Sequence, residues 1–161
     1  MKQDRFLIGI LAFIALLVTA ALLLFFLRPE TVTYLPDDTP EGVVYNFALA
    51  IQNKDAERAY AYLADLEHKP SESAFRQTIL SGYLYTDGYA LQVDETSMLG
   101  VDEAWVQVSV HYLSSGPFES GWTTQDRATL VRQQGEWRIT YMPSPYWSYD
   151  WYQLPYDPAK P

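Results

Sequence analysis

Few residues in this 161-residue chain are of types that do chemistry, and their spacing limits what that chemistry could be. His111 is the first candidate, because an imidazole exchanges a proton near neutral pH. It ends an alternating run in which Ala104, Val106, Val108, Val110 and Tyr112 form one face, and Trp105, Gln107, Ser109 and His111 the other. The valine face must pack inward, so His111 is expected to point away from any pocket. His68 lies in the polar stretch DLEHK beside Glu67 and Lys69 and reads as surface. Two acidic pairs, Asp94-Glu95 and Asp102-Glu103, stand at the ends of adjacent expected strands and could meet as a calcium site. No calcium-loop spacing accompanies them, so solvated carboxylates are expected and no metal ligand is assigned. Asp37-Asp38 likewise reads as solvated.

Tyr60, Tyr62, Tyr83, Tyr85 and Tyr89 could offer hydroxyls to a pocket. Aromatics in a small core ordinarily pack, with the hydroxyl reaching the rim. No phosphate-cradling glycine loop, nucleophile elbow or Ser/His/Asp arrangement stands out, so neither a catalytic residue nor a cofactor is expected. The densest chemistry is aromatic. The stretch 143–161 reads PSPYWSYDWYQLPYDPAKP, where proline spacing forbids a regular helix or a central strand. Tyr146, Trp147, Tyr149, Trp151 and Tyr152 form the candidate partner or ligand surface, suited to a proline-rich segment, a glycan or a partner protein. The favoured reading is that the tail folds back and covers an apolar patch of its own domain, because so many exposed aromatics would invite aggregation; contact with the membrane interface is a third.

The elements that must position these residues begin with a span. Residues 6–27 carry no charge, which is enough helix to cross the roughly 30 Å hydrocarbon core of a bilayer. Val18-Thr19-Ala20 imitates a signal-peptide cleavage site, but the apolar run continues directly past it, so an uncleaved anchor is expected. Lys2 and Arg5 precede the span and Arg28 follows it, after which come Glu30, Asp37, Asp38 and Glu41. The positive-inside rule places residues 1–5 in the cytoplasm and the remainder outside it. Residues 28–38 read as a tether that reaches about 35 Å when extended.

The whole chain carries −9; setting Lys2, Arg5 and Arg28 aside against Asp4 leaves −11 on the rest. Such a surface repels phosphate backbones, and nucleic acid is excluded as a partner. The chain has no cysteine, which excludes disulfides, thiolate catalysis and cysteine-bound zinc.

Beyond the tether, Thr39-Pro40-Glu41 starts a helix whose apolar positions are Val43, Val44, Phe47, Ala50 and Ile51, with Asn46, Gln52 and Lys54 outward. Asp55 caps either a second helix or a kinked continuation of the first, and Ser71 caps another that ends at Ser81-Gly82. The period then changes to two. Strands are expected from Tyr89, from Ala104, from Trp122 to about Gln133, and after a turn at Gln134-Gly135. Helices followed by a meander imply an α+β fold.

The helical stretch VVYNFALAIQNKDAERAYAYL and the final hairpin RQQGEWRI together resemble the nuclear transport factor 2-like (cystatin-like roll) superfamily over 39–142. The resemblance implies a cone-shaped domain of about three helices on a curved antiparallel sheet. It is similar in layout to membrane-anchored bacterial members of that superfamily. The enzymatic branches, ketosteroid isomerase-like and polyketide cyclase-like, use Asp, His and Tyr facing into the cone, and Asp126 with an interior tyrosine is the pair to examine for that alternative. The expected function is a non-catalytic, membrane-anchored domain outside the cytoplasm, acting on an envelope protein partner or an apolar ligand. A glycan-binding tail is a further alternative.

Overall fold

The computed structural model describes residues 5–26, 33–113 and 120–153. Residues 1–4, 27–32, 114–119 and 154–161 lie outside the described residues, and with them Arg28, most of the expected tether and the end of the tail. The chain divides into two compact units, Met1–Thr33 and Tyr34–Pro161.

The first unit is helix α1 (Arg5–Phe26). Its window Leu7–Leu24 has a mean hydropathy of 3.0. Thr19 is the polar side chain within that window, and its hydroxyl donates to the Ala15 carbonyl at 2.8 Å, so the helix satisfies it internally.

In the second unit, α2 (Pro40–Gln52) starts where the cap chemistry requires: Thr39 Oγ1 accepts from the Gly42 amide at 3.2 Å, with proline in the first turn. It stops at Gln52 because Lys54 adopts the left-handed conformation, at φ 57°. Asp55 then accepts from the Arg58 amide at 3.2 Å and opens α3 (Ala56–Ala61), so the polar corner separates two helices. Ser71 caps α4 (Glu72–Leu80).

Four strands follow, β1 (Tyr89–Met98), β2 (Glu103–Tyr112), β3 (Trp122–Gln133) and β4 (Glu136–Tyr141), in the order β1-β2-β3-β4 and antiparallel throughout. Gln134 and Gly135 both have positive φ, 53° and 88°, the pattern of a tight hairpin turn whose twist matches the strands. Bulges between Val93 and Glu95 and between Thr129 and Leu130 bend the sheet. Beyond β4 the edge is continued by a parallel bridge: the Ile139 amide donates to Tyr62 O at 2.8 Å, and the Ala64 amide to Ile139 O at 2.9 Å.

The architecture is α+β, with three helices on one face of a four-stranded sheet. Helix α2 packs against β1, β2 and β4. Its Val43, Val44, Phe47 and Ile51 meet Val106, Val108, Val110, Leu130 and Ile139 in one core. Each such side chain contributes about 1.5–3 kcal/mol through removal from water.

Asn46 departs from the expected outward position: it is fully buried. Residues 34–38 run back over that side of α2 and cover it. Asn46 Oδ1 accepts from the Leu35 amide at 2.8 Å, and its Nδ2 donates to the Leu35 carbonyl at 2.7 Å and to Asp37 Oδ1. Asp37 also accepts from the Tyr62 hydroxyl at 2.9 Å, so it is a fastening point for the chain as well as a solvated acid. Gly42 lets this strap approach, since a Cβ there would overlap the Pro36 carbonyl oxygen. Arg58 completes it, with its guanidinium 3.5 Å from the centre of the Tyr34 ring. The folded unit therefore begins at Tyr34, upstream of the helix start at Thr39.

Candidate functional site

The aromatic tail is where sequence reasoning placed its candidate surface, and the structure divides those residues. Tyr146 is fully buried and Trp151 is 3% exposed. Trp147 and Tyr152 are half-buried, and Tyr149 alone of the five is exposed, at 81%. The segment up to Gln153 returns over the domain. The Trp151 ring lies 4.5 Å from Phe75 and 5.0 Å from Trp147; Trp147 reaches Phe47 at 6.3 Å and stacks on Tyr152 at 5.9 Å. Polar ends are satisfied as the rings go in. Gln52 Nε2 donates to the Tyr146 hydroxyl oxygen at 2.9 Å, and the Tyr152 hydroxyl donates to the Ala64 carbonyl.

Burial raises the hydroxyl pKa of both Tyr146 and Tyr152 well above the ordinary tyrosine value, because an apolar surround penalises the phenolate. For Tyr146 the Gln52 contact partly offsets this. These hydroxyls are protonated donors or acceptors at any physiological pH. They are not poised for acid–base work.

The other tyrosines divide between structure and surface. Tyr60 donates to Pro70 O at 3.0 Å and Tyr62 to Asp37. Tyr83 and Tyr85 are exposed at 62% and 64%, and Tyr89 packs 5.2 Å from Tyr112 and 5.9 Å from Trp122. Asp126 lies opposite Val108, on the helix side of the sheet, yet it is exposed, and its Oδ1 accepts from the neighbouring Arg127 amide. Burial raises the Tyr141 pKa first, and the charge of Asp126 adds to it. That is proximity at the rim of the sheet. It is not the interior acid–tyrosine pair that isomerase chemistry would use.

His111 is half-buried on the outer face, with Nδ1 2.9 Å from Thr123 Oγ1. His68 is in an exposed turn beside Glu67. The acidic pairs are not brought together. Asp94 is held by Gln92 Nε2 at 2.8 Å and by the Ser109 hydroxyl at 2.6 Å, and Glu95 lies opposite Gln107. Glu103 lies at the far end of β2, opposite Val131. Among the described residues no three acidic or imidazole side chains converge as a metal site.

Sequence reasoning passed over the outer face of the sheet. Trp105 stands there beside two open recesses of about 230 and 220 Å3, one walled by Glu95, Ser97, Gln107 and Arg127, the other a more apolar one walled by Leu99, Ala104, Leu130 and Val131 with Glu103, Thr129 and Thr140. The Arg127 guanidinium carbon lies 5.0 Å from the Trp105 ring centre. The signal was strand parity, which puts a tryptophan on a face otherwise polar.

No family model matches the chain, and no curated protein matches it. Solved structures do. A SEC-C motif containing protein from Rhodopseudomonas palustris aligns at TM-score 0.46 and 14% identity, over 66% of this chain and 79% of its own. A ketosteroid isomerase-like protein from Erwinia carotovora atroseptica aligns at 0.44 and 13%, over 70% and 92%. An NTF-2-like protein of unknown function from Shewanella oneidensis aligns at 0.41 and 14%, over 61% and 88%. The neighbours are thus nuclear transport factor 2-like and cystatin-like fold proteins. Likeness at this level carries no argument about activity, and the α+β assignment stands on the element order itself.

Proposed function

We propose that this chain is a single-pass membrane-anchored protein whose folded unit stands outside the cytoplasm and works by binding a partner protein rather than by catalysis. The observation that carries the reading is the filling of the space between helices and sheet by the chain's own aromatics. Tyr146, Trp151, Phe47, Phe75 and Met142 occupy it, and the hydroxyls of Tyr60, Tyr62 and Tyr152 donate to structural acceptors. Among the described residues, an apolar ligand in that space would have to displace these side chains. A partner contact needs no such displacement.

Among the described tail residues, Tyr149, with the half-buried Trp147 and Tyr152 beside it, is the part left to meet a partner, and Tyr146 and Trp151 hold it in place. The anchor rests on the length and apolarity of α1, whose described side chains from Leu7 to Leu24 are all exposed, a poor arrangement for water and a good one for lipid. Orientation rests on Lys2 and Arg5 before the span against Arg28 after it.

Both parts can be tested on the intact chain. Because it lacks cysteine, Tyr149→Cys gives a single labelling position. A membrane-impermeant maleimide should label it in intact cells; labelling only after lysis overturns the orientation. A photo-crosslinking residue at 149 in native membranes should capture a discrete protein adduct, and recovery of no adduct there counts against the tail as the contact.

A further inference from the structure

The outer sheet face has a composition that a merely solvated face does not need. Cross-strand rows set it out: Ser97, Trp105 and Thr129 form one, and Glu95, Gln107 and Arg127 the next. The third joins Gln92, Ser109 and Gln125, where the bulge between Val93 and Glu95 leaves Asp94 within reach of both Gln92 and Ser109. Amides, hydroxyls and carboxylates therefore dominate the surface, and the one tryptophan on it is 37% exposed. We propose that this face is a glycan-binding site, in which an uncharged oligosaccharide strand lies against Trp105 with one sugar ring in each of the two flanking recesses.

Three features select that ligand class. First, the two recesses share Trp105 as a common wall, one polar and the other more apolar, so adjacent rings of a strand would meet the same side chain. A pyranose ring presents axial C–H groups on its face and hydroxyls at its edge. It is matched by an apolar ring beneath and planar polar groups at the side. Arg127, packed on Trp105 at 5.0 Å, holds the indole orientation before any ligand arrives.

Second, the first recess is walled by one carboxylate, one amide, one guanidinium and one hydroxyl, from Glu95, Gln107, Arg127 and Ser97. That set offers both donors and acceptors to vicinal hydroxyls, and its charges cancel. Third, the −11 of the chain beyond the anchor opposes polyanionic strands, which leaves uncharged sugars as the compatible kind. The site is distinct from the aromatic tail and does not depend on the anchoring reading.

Isothermal titration of the full-length protein in detergent micelles, with chitotetraose and cellotetraose as probes, tests the assignment. Binding of at least one probe at millimolar concentration is expected. Trp105→Ala should weaken it by roughly tenfold or more. Gln107→Ala should weaken it less, and Tyr149→Ala should leave it unchanged. Trp105 is exposed, so the thermal transition of Trp105→Ala should stay near that of the parent and separate lost binding from lost folding. Absence of binding to both probes overturns the assignment, as does binding that survives Trp105→Ala. Binding lost only in Tyr149→Ala moves the site to the tail. If the parent is a dimer that Trp105→Ala converts to a monomer without any sugar bound, the face is a self-contact and the glycan reading fails.

Discussion

Trp151 is 3% exposed, with its ring 4.5 Å from Phe75 and 5.0 Å from Trp147, whereas Trp105 is 37% exposed with Arg127 against its ring. The first comes from a stretch so rich in aromatics that it looks like a binding surface. The second comes from a regular strand that looks like scaffold. Their positions are the reverse of that impression, and the cause is physical. A proline-spaced segment has no ladder of its own to satisfy, so it is free to lay its rings into whatever apolar space the helices leave open. A residue in β2 has no such freedom: once the valines face α2, parity forces Trp105 outward.

That contrast can be broken or sharpened by substitution, measured as the unfolding free energy of the intact chain in detergent. Trp151→Ala should have the largest effect, a loss of about 3–5 kcal/mol, because it opens a cavity among Phe75, Trp147 and the core. A loss below about 1 kcal/mol would show that the tail does not close the interior. Asn46→Ala should cost about 1–3 kcal/mol by stranding the Leu35 amide and carbonyl, and should make residues 34–38 newly susceptible to limited proteolysis.

Next is pH. Burial raises the pKa of Tyr146 and Tyr152, so above the ordinary tyrosine value of about 10 the unfolded chain releases protons that the folded chain retains. Stability contributed by these groups is fully present below about pH 10 and is lost as pH rises beyond it. Tyr146→Phe should flatten that alkaline decline, and an unchanged slope would place Tyr146 in water. Trp105→Ala should change stability least, by under about 0.5 kcal/mol. A larger loss would mean that the outer tryptophan is structural.

Much of the fold was legible. Thr39, Asp55 and Ser71 announce three helix starts because short oxygen-bearing side chains satisfy the first amides of a helix. The alternation through Val106, Val108 and Val110 reports the buried face directly, and with it the outward placing of His111. Asn46 was not legible. Helical spacing sets it apart from the apolar stripe, but only tertiary folding brings residues 34–38 over it and turns a polar residue into a buried, fully bonded one. The return of the tail over its own domain was legible in its density of aromatics, but not which rings go inward, since Tyr146 and Tyr149 differ in burial without differing in pattern. The outer recesses were invisible for a related reason: Glu95, Gln107 and Arg127 come from three strands and become neighbours only through register.

The clamp at Asn46 also decides how the folded unit would take a load. Tension arriving along the backbone through Thr33 is met first by the paired amide and carbonyl of Leu35 on Asn46, and by Tyr62 on Asp37. Those bonds fasten the incoming chain to α2, the helix that the core surrounds. Residues 34–38 add no strand to the sheet, so their release from Asn46 and Tyr62 would be a local event that leaves the register of β1 to β4 intact.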